Sequence, residues 1–367
     1  MRYVVLTFCI LLFPFYVVGQ IDKRANVPRL GDKFMVQILA GADSGACGTG
    51  CVWNFSHVNT DGDVKEVVYM LCPEYPDRLT KIFDATRYYE CMAGDSLVCL
   101  GRESNTLKIE YDRPETIVVF PVNYGDSLFG YFYGRGNYCD VAVLRVKGTY
   151  TVKADGLGTV ILPGGNAIKN VMRIHTRRVV SCESYPSDSV WPPCEDYSPN
   201  DIRQILANDS AVMYEDVYRW YAVGYRYPIF VLSTMSVGGE ETVTSAYYCP
   251  TFEQSCLVDD VNEAKRVNVA GGTAGDGGTG ENAAGSALPY IFHNDKMTHS
   301  VSVSVKSSGP LNLEAVLASV GGVVHKSEKR QVSADITISF DYGSLPKGQY
   351  AVYIRIGGEC YTEKFNY

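Results

Sequence analysis

The sequence predicts an all-β protein: a large antiparallel β-sandwich body, or two smaller subdomains, followed by a small C-terminal β-sandwich. Three observations predict it. Apolar residues recur with period two, glycine-bearing turns punctuate those runs, and helical periodicity is scarce. A glycine-rich stretch, 271–287, holds no large apolar side chain and reads as a flexible tether between body and tail. The expected organisation is therefore a leader at 1–19, a body at 20–270, a linker at 271–287 and a C-terminal domain at 288–367.

The leader is apolar from Tyr3 to Val18 apart from Thr7, follows Arg2, and ends on Val17-Val18-Gly19. That order is expected of a secretory signal peptide. Pro14 interrupts the run, and a membrane span needs about 20 apolar residues. No membrane span is expected after cleavage. Residues 1–19 hold one basic and no acidic residue, so their loss takes the net charge from −8 to −9. An acidic chain is a poor partner for nucleic acid, which clustered Lys and Arg recognise. The 46% hydrophobic and 20% charged composition suits a globular protein with its own cores.

Twelve cysteines suit an oxidising compartment. Without Cys9 the number is odd, and close spacing makes Cys47 with Cys51, Cys91 with Cys99, Cys182 with Cys194 and Cys249 with Cys256 the candidate disulfides. Cys360 is the expected odd residue.

In the body, Phe34, Val36 and Ile38 form one strand and Leu107, Ile109 and Tyr111 another. From Asp140 to Cys182 several strands are expected, with turns at Asp155-Gly156 and Gly164-Gly165. Tyr218–Tyr221 and Ile229–Met235 read as a hairpin. The best helix is Ser198–Ala207, capped by Ser198 with Pro199 in its first turn. In the tail, Val301, Val303 and Val305 alternate with serines, and Leu345-Pro346 breaks the chain before a Tyr350–Ile356 strand.

Chemistry is harder to find. No residue is assigned a catalytic, cofactor-binding or metal-binding role. Cys51 and His57 would need proximity to act as nucleophile and base, and Cys51 suits a disulfide better. His293 and His299 lack the spacing of a helical metal pair. Asn59, Asp61, Asp63 and Glu66 resemble a calcium loop only crudely and are expected at a polar hairpin tip. Arg173, His175 and Arg177 could meet an anion, though such alternation also describes the wet face of a sheet. Among 27 tyrosines, the run holding Tyr218, Trp220, Tyr221 and Tyr225 is the candidate binding surface, where flat rings would take a surface glycan or a protein.

The chain's end resembles the C-terminal sorting domain of cargo proteins of the type IX secretion system of Bacteroidetes. Leu345, Pro346, Gly348 and Tyr350 match its first element, Gly357-Gly358 its turn, and Thr362, Lys364 and Phe365 its last strand. The resemblance implies a small Ig-like β-sandwich, passage through the periplasm, and the secretion machinery as a partner. Cys360 departs from the pattern. The body is similar to an uncharacterised group of exported proteins from the same bacteria, through stretches such as Lys153-Ala-Asp-Gly-Leu-Gly-Thr159 and Tyr218-Arg-Trp-Tyr221. Asp95-Ser-Leu97, Asp126-Ser-Leu128, Asp188-Ser-Val190 and Asp209-Ser-Ala211 resemble that group's O-glycosylation acceptor.

The expectation is a secreted or outer-surface protein with a non-catalytic binding or structural role. The alternative is a secreted hydrolase, a glycosidase or peptidase, with an unrecognised active site.

Overall fold

A computed structural model describes residues 21–72, 78–163, 167–187, 196–255, 257, 259–271, 290–307, 309–319, 324–356 and 359–367. The expected leader, most of the linker, Cys194, Cys256 and Gly357-Gly358 lie outside the described residues.

The body begins with helix α1 (Lys23–Asn26), then β1 (Lys33–Leu39), β2 (Gly48–Asn54), β3 (Thr60–Leu71), β4 (Leu79–Phe83) and β5 (Thr86–Ala93). It continues through β6 (Ser96–Glu103), β7 (Leu107–Val119), β8 (Ser127–Tyr138), β9 (Ala142–Ile161) and β10 (Ala167–Pro186). Helix α2 (Pro199–Asn208) precedes β11 (Met213–Ala222), β12 (Phe230–Val237) and β13 (Glu240–Tyr248). Helices α3 (Thr251–Ser255) and α4 (Asp260–Gly271) close the body. Ser198 caps α2 as expected: its side chain accepts from the Asp201 amide, while Asp201 accepts from the Ser198 amide.

The all-β class holds, but the body is a closed twelve-stranded barrel and not a sandwich. Each strand from β3 to β13 pairs with the next, β1 bridges β3 and β13, and β10 also pairs with β9. Twelve antiparallel strands thus form a ring in which no strand is left as an edge. Strand β2 stands outside it, parallel to β9 from Gly156 to Ile161, beyond the point where β8 stops at the Ser127–Lys153 pair.

Close approach of neighbouring groups explains a second correction. Asp155-Gly156, expected as a turn, lies inside the 20-residue strand β9. A Cβ at Gly156 would meet the Trp53 ring at 2.7 Å, and one at Gly158 the Cys51 carbonyl at 1.9 Å. The glycines let β2 lie against β9 and make no turn. Asp63 and Glu66 likewise sit on β3, not at a hairpin tip.

Register assigns the faces. Ile174, Thr176, Arg178 and Val180 of β10 share a face with Arg219, Val217, Glu215 and Met213 of β11, and this face points into the barrel. Phe132, Val146, Tyr150, Met172 and Ile174 pack together inside. Phe34, Val67, Tyr69, Val231 and Tyr247 fill another sector. The outward positions of β7 to β10 carry Lys108, Glu110, Arg135, Arg145, Lys153 and Arg177. Charge there is unlike the apolar outer band of a transmembrane barrel. No described helix is long and apolar enough to cross a membrane.

The tail forms two facing sheets. One contains β14 (Tyr290–Asp295), β15 (Ser300–Val305) and β18 (Ile336–Asp341); the other contains β16 (Leu311–Ser319), β17 (Val324–Val332), β19 (Gln349–Ile356) and β20 (Glu359–Asn366). Val301, Val303, Leu313, Leu317, Val352 and Ile354 interlock between them, each less than 1% exposed. That shared apolar layer makes the tail a seven-stranded sandwich with a core of its own.

Candidate functional site

The four residues of the expected aromatic surface form no single exposed face: Tyr218 and Trp220 meet with ring centres 6.2 Å apart, Tyr225 packs near them, and Tyr221 turns the other way. Trp220 pairs with Arg173 on the outer face of the barrel, whereas Tyr221 pairs with Met172 and points inward. Trp220 is fully buried against Trp53, Phe55 and Phe230, beneath β2 and the segment that leads to it. Tyr218 stacks on His175 at 4.3 Å. Tyr225 lies past the end of β11, under the Arg266 guanidinium.

Arg173 also leaves the expected wet face. Its Nε and Nη2 donate to the two Asp155 carboxylate oxygens at 2.8 and 2.9 Å, and Nη1 donates to the carbonyls of Ser44 and Gly45. Its guanidinium lies within 6 Å of Trp53, Tyr218 and Trp220 ring centres. His175 sits 2.6 Å from Asp216 and 3.7 Å from Asp155, and Arg177 remains outside. Every guanidinium nitrogen of Arg173 is engaged by protein. The cluster pins the covering segment to the barrel wall.

The candidate disulfides meet the same test of geometry. Cys47, Cys51, Cys99, Cys182 and Cys249 are all thiols. Cys99 pairs with Glu90 and Cys91 with Val98, so the two cysteines occupy opposite faces of adjacent strands and cannot be bridged. The Cys51 thiol donates to the Gly48 carbonyl. No group of three metal-ligating side chains occurs among the described residues.

The sorting-like motif residues build the tail. Leu345, Tyr350 and Phe365 pack into the sandwich core. The Tyr350 hydroxyl donates to the Pro346 carbonyl at 2.7 Å, and Gly348 and Tyr367 exchange backbone hydrogen bonds at 3.1 and 2.9 Å. Lys364 stays exposed, 3.7 Å from the buried Glu253 of the body.

A concentration of charge that sequence reasoning missed lies inside the barrel. Cationic side chains turned inward include Lys81 on β4, Arg102 on β6, Arg178 on β10 and Arg219 on β11, besides Lys65 on β3, which pairs with Asp63 and Asp84. The carboxyls are Glu90 on β5, Glu115 on β7 and Glu215 on β11. Arg178 holds two of them. Its Nε is 2.9 Å from Glu115, it bonds Glu215 through Nη1, and its Nη2 donates to the Tyr111 hydroxyl at 3.0 Å.

These groups titrate as enclosed charges. Burial opposes the charge on Arg178, but Glu115 and Glu215 overcome it and hold the guanidinium protonated well above its ordinary range. Burial raises the Glu115 carboxyl despite Arg178, whereas at Glu215 the same arginine wins and the pKa falls. Burial raises Glu90 against the opposing pull of Lys81 and Arg219, and lowers Lys81. It pushes the Cys99 thiol and the Tyr111 and Tyr221 hydroxyls up to about 12.

Arg102 is different. Its neighbours across the sheet are Tyr88 and Ile109, its buried Nε has no hydrogen-bond partner, and no carboxylate lies within ion-pair distance among the described residues. Lys81 and Arg219 also lack a carboxylate at that distance: Lys81 stands over the Tyr88 ring at 5.4 Å, and Arg219 donates to Thr176 at 3.1 Å. All three retain accessible surface although the wall encloses them. The lumen therefore has space around unpaired cations. A groove of about 620 Å³ between α2 and β10 reaches Cys182, whose raised pKa, set by burial, is opposed by the charge of Arg102.

Consecutive charges within strands were the available signal. Arg177 and Arg178, as consecutive residues, cannot both face water on an alternating strand. No protein-family model matches the chain, and no curated protein is similar to it.

Proposed function

We propose that this protein is exported, held at the outer cell surface or released around the cell, and acts there as a binding module without catalysis. The barrel is the working part, and the C-terminal sandwich directs delivery or attachment through type IX secretion. The observation that carries this reading is the self-contained tail core, which the motif residues Leu345, Tyr350 and Phe365 help to build while Lys347 and Lys364 stay at its surface. A separate core is what a transferable address requires.

The arrangement of carboxyls favours binding over hydrolysis. A glycosidase needs two carboxyl groups about 5 to 10 Å apart with the substrate between them. Here Glu115 and Glu215 converge on Arg178, which occupies that place.

Intact mass and terminal sequencing of the protein from its native cell surface test the reading. Loss of residues beyond the glycine-rich linker, with an added glycolipid mass, is the expected result. Mature surface protein that still ends at Tyr367 without added mass would count against delivery by this route.

A further inference from the structure

We propose that the barrel lumen is a binding site for a small amphipathic molecule carrying one oxyanion, a carboxylate, sulfate or phosphate group, which Arg102 grips from the wall with Arg219 and Lys81 beside it. This rests on the reading of the body as a binding module and gives the class of its ligand. It does not depend on the tail.

Charge balance is the first argument. Lys81, Arg102, Arg178 and Arg219 share Glu90, Glu115 and Glu215; Arg178 makes direct ion pairs with the last two, and Arg102 acts on both only from beyond ion-pair distance. Among the described residues Lys81, Arg102 and Arg219 have no carboxylate in direct contact: Glu90 acts on Lys81 and Arg219 from a distance, and its Oε2 is buried with no hydrogen-bond partner. A buried charge without a partner is costly, because it has given up water and received nothing in exchange. A guanidinium in that position offers a planar fork of donors suited to an oxyanion.

The rest of the lining sets the remainder of the ligand. Tyr88 lies beside Arg102, and Tyr221 and Tyr247 lie near Arg219 and Glu90. Phe132 and Tyr111 close around Arg178. Rings with a polar edge accommodate a flat apolar body while their hydroxyls stay hydrogen-bonded. The ligand would thus place its charge at the β6 wall and its apolar part against the tyrosines. The groove beside α2 is lined by Cys182, whose thiol feels the charge of Arg102, and is the route by which such a molecule would enter.

Two fluorescent probes of the same shape test this with the full chain in solution: anionic 1-anilinonaphthalene-8-sulfonate and uncharged N-phenyl-1-naphthylamine. The expected result is saturable binding of one sulfonate per chain, competed by excess inorganic sulfate. Arg102→Gln should weaken the sulfonate by about ten- to hundredfold, the loss of a charge-assisted hydrogen bond, and leave the uncharged probe within about twofold. Arg102→Lys should fall between, and Arg177→Gln on the outer face should change nothing. If Arg102→Gln does not fold, Arg102→Lys and Arg219→Gln carry the comparison. Equal loss for both probes, no loss in the Arg102 or Arg219 variants, or no saturable sulfonate binding up to 1 mM would overturn the inference. Any of those results would leave the localisation of the protein untouched.

Discussion

Asp259 shows how a single residue secures one end of the barrel. Its carboxylate takes two hydrogen bonds of 2.9 Å from Arg226, which also donates to the Val27 carbonyl, and Asn262 joins Asp259 to the Ala25 carbonyl. Arg226 and Asp259 are 4% and 3% exposed, so removing Asp259 leaves a buried guanidinium whose nearest remaining carboxylate is Asp32 at 4.0 Å. Asp259→Asn should cost about 3–5 kcal/mol in urea unfolding at pH 7. Burial opposes the Asp259 charge, but the hydrogen bonds from Arg226 and Asn262 prevail and lower its pKa from the ordinary 3.8. A depressed carboxyl stabilises the fold above its unfolded pKa, and that contribution fades as pH falls through the folded value. The Asn variant should therefore lose less stability than the parent on acidification below pH 4.

Glu90 carries the opposite sign. Burial raises its pKa above the ordinary 4.5, so the folded state holds a proton that the unfolded chain gives up. Its unfavourable contribution is absent at low pH and grows as pH rises from 4.5 through the folded value. Glu90→Gln should flatten that decline, visible as a smaller drop in melting temperature between pH 4.5 and pH 8. An unchanged profile would show that another group controls it.

At the scale of the element, glycines decide where strands may touch. A Cβ at Gly148 would lie 2.4 Å from the Val179 carbonyl and 2.7 Å from the Phe132 ring, at the tight contact between β9 and its neighbours. Gly148→Ala should destabilise the barrel by about 1–3 kcal/mol, the usual cost of overpacking, in equilibrium unfolding. Gly158→Val acts elsewhere, since its Cβ would strike β2 and not the ring. Amide hydrogen exchange should then show lost protection across residues 48–54 with β8 and β10 unchanged.

Elements also explain what was legible beforehand. Alternation at Phe34–Ile38, Leu107–Tyr111 and Val301–Val305 marked real strands, and the Ser198 cap marked α2. Closure was not legible, because a sandwich and a barrel share the same period of two. They differ in long-range pairing, such as β1 with β13, and no local pattern encodes that choice. The lumen was hidden for a related reason: nothing local in the sequence marks Glu90, Arg102 and Glu215 as inward-facing, and only register assigns them that face. The spacing of Cys91 and Cys99 misled in the same way, since proximity along a hairpin says nothing about which face each thiol occupies.

At the scale of the molecule, the tail core and the barrel cores share none of their buried residues. Two bodies with separate cores can divide two tasks, one carrying the binding chemistry in its lumen and the other carrying the address. The central claim is that the sandwich delivers the barrel. It is tested most directly by producing the full chain and a form lacking residues 288–367 in the native cell, and measuring each by surface protease accessibility. The account predicts that the full chain reaches the surface while the shortened form is retained in the periplasm with a folded barrel. Equal surface accessibility of the two forms would contradict it.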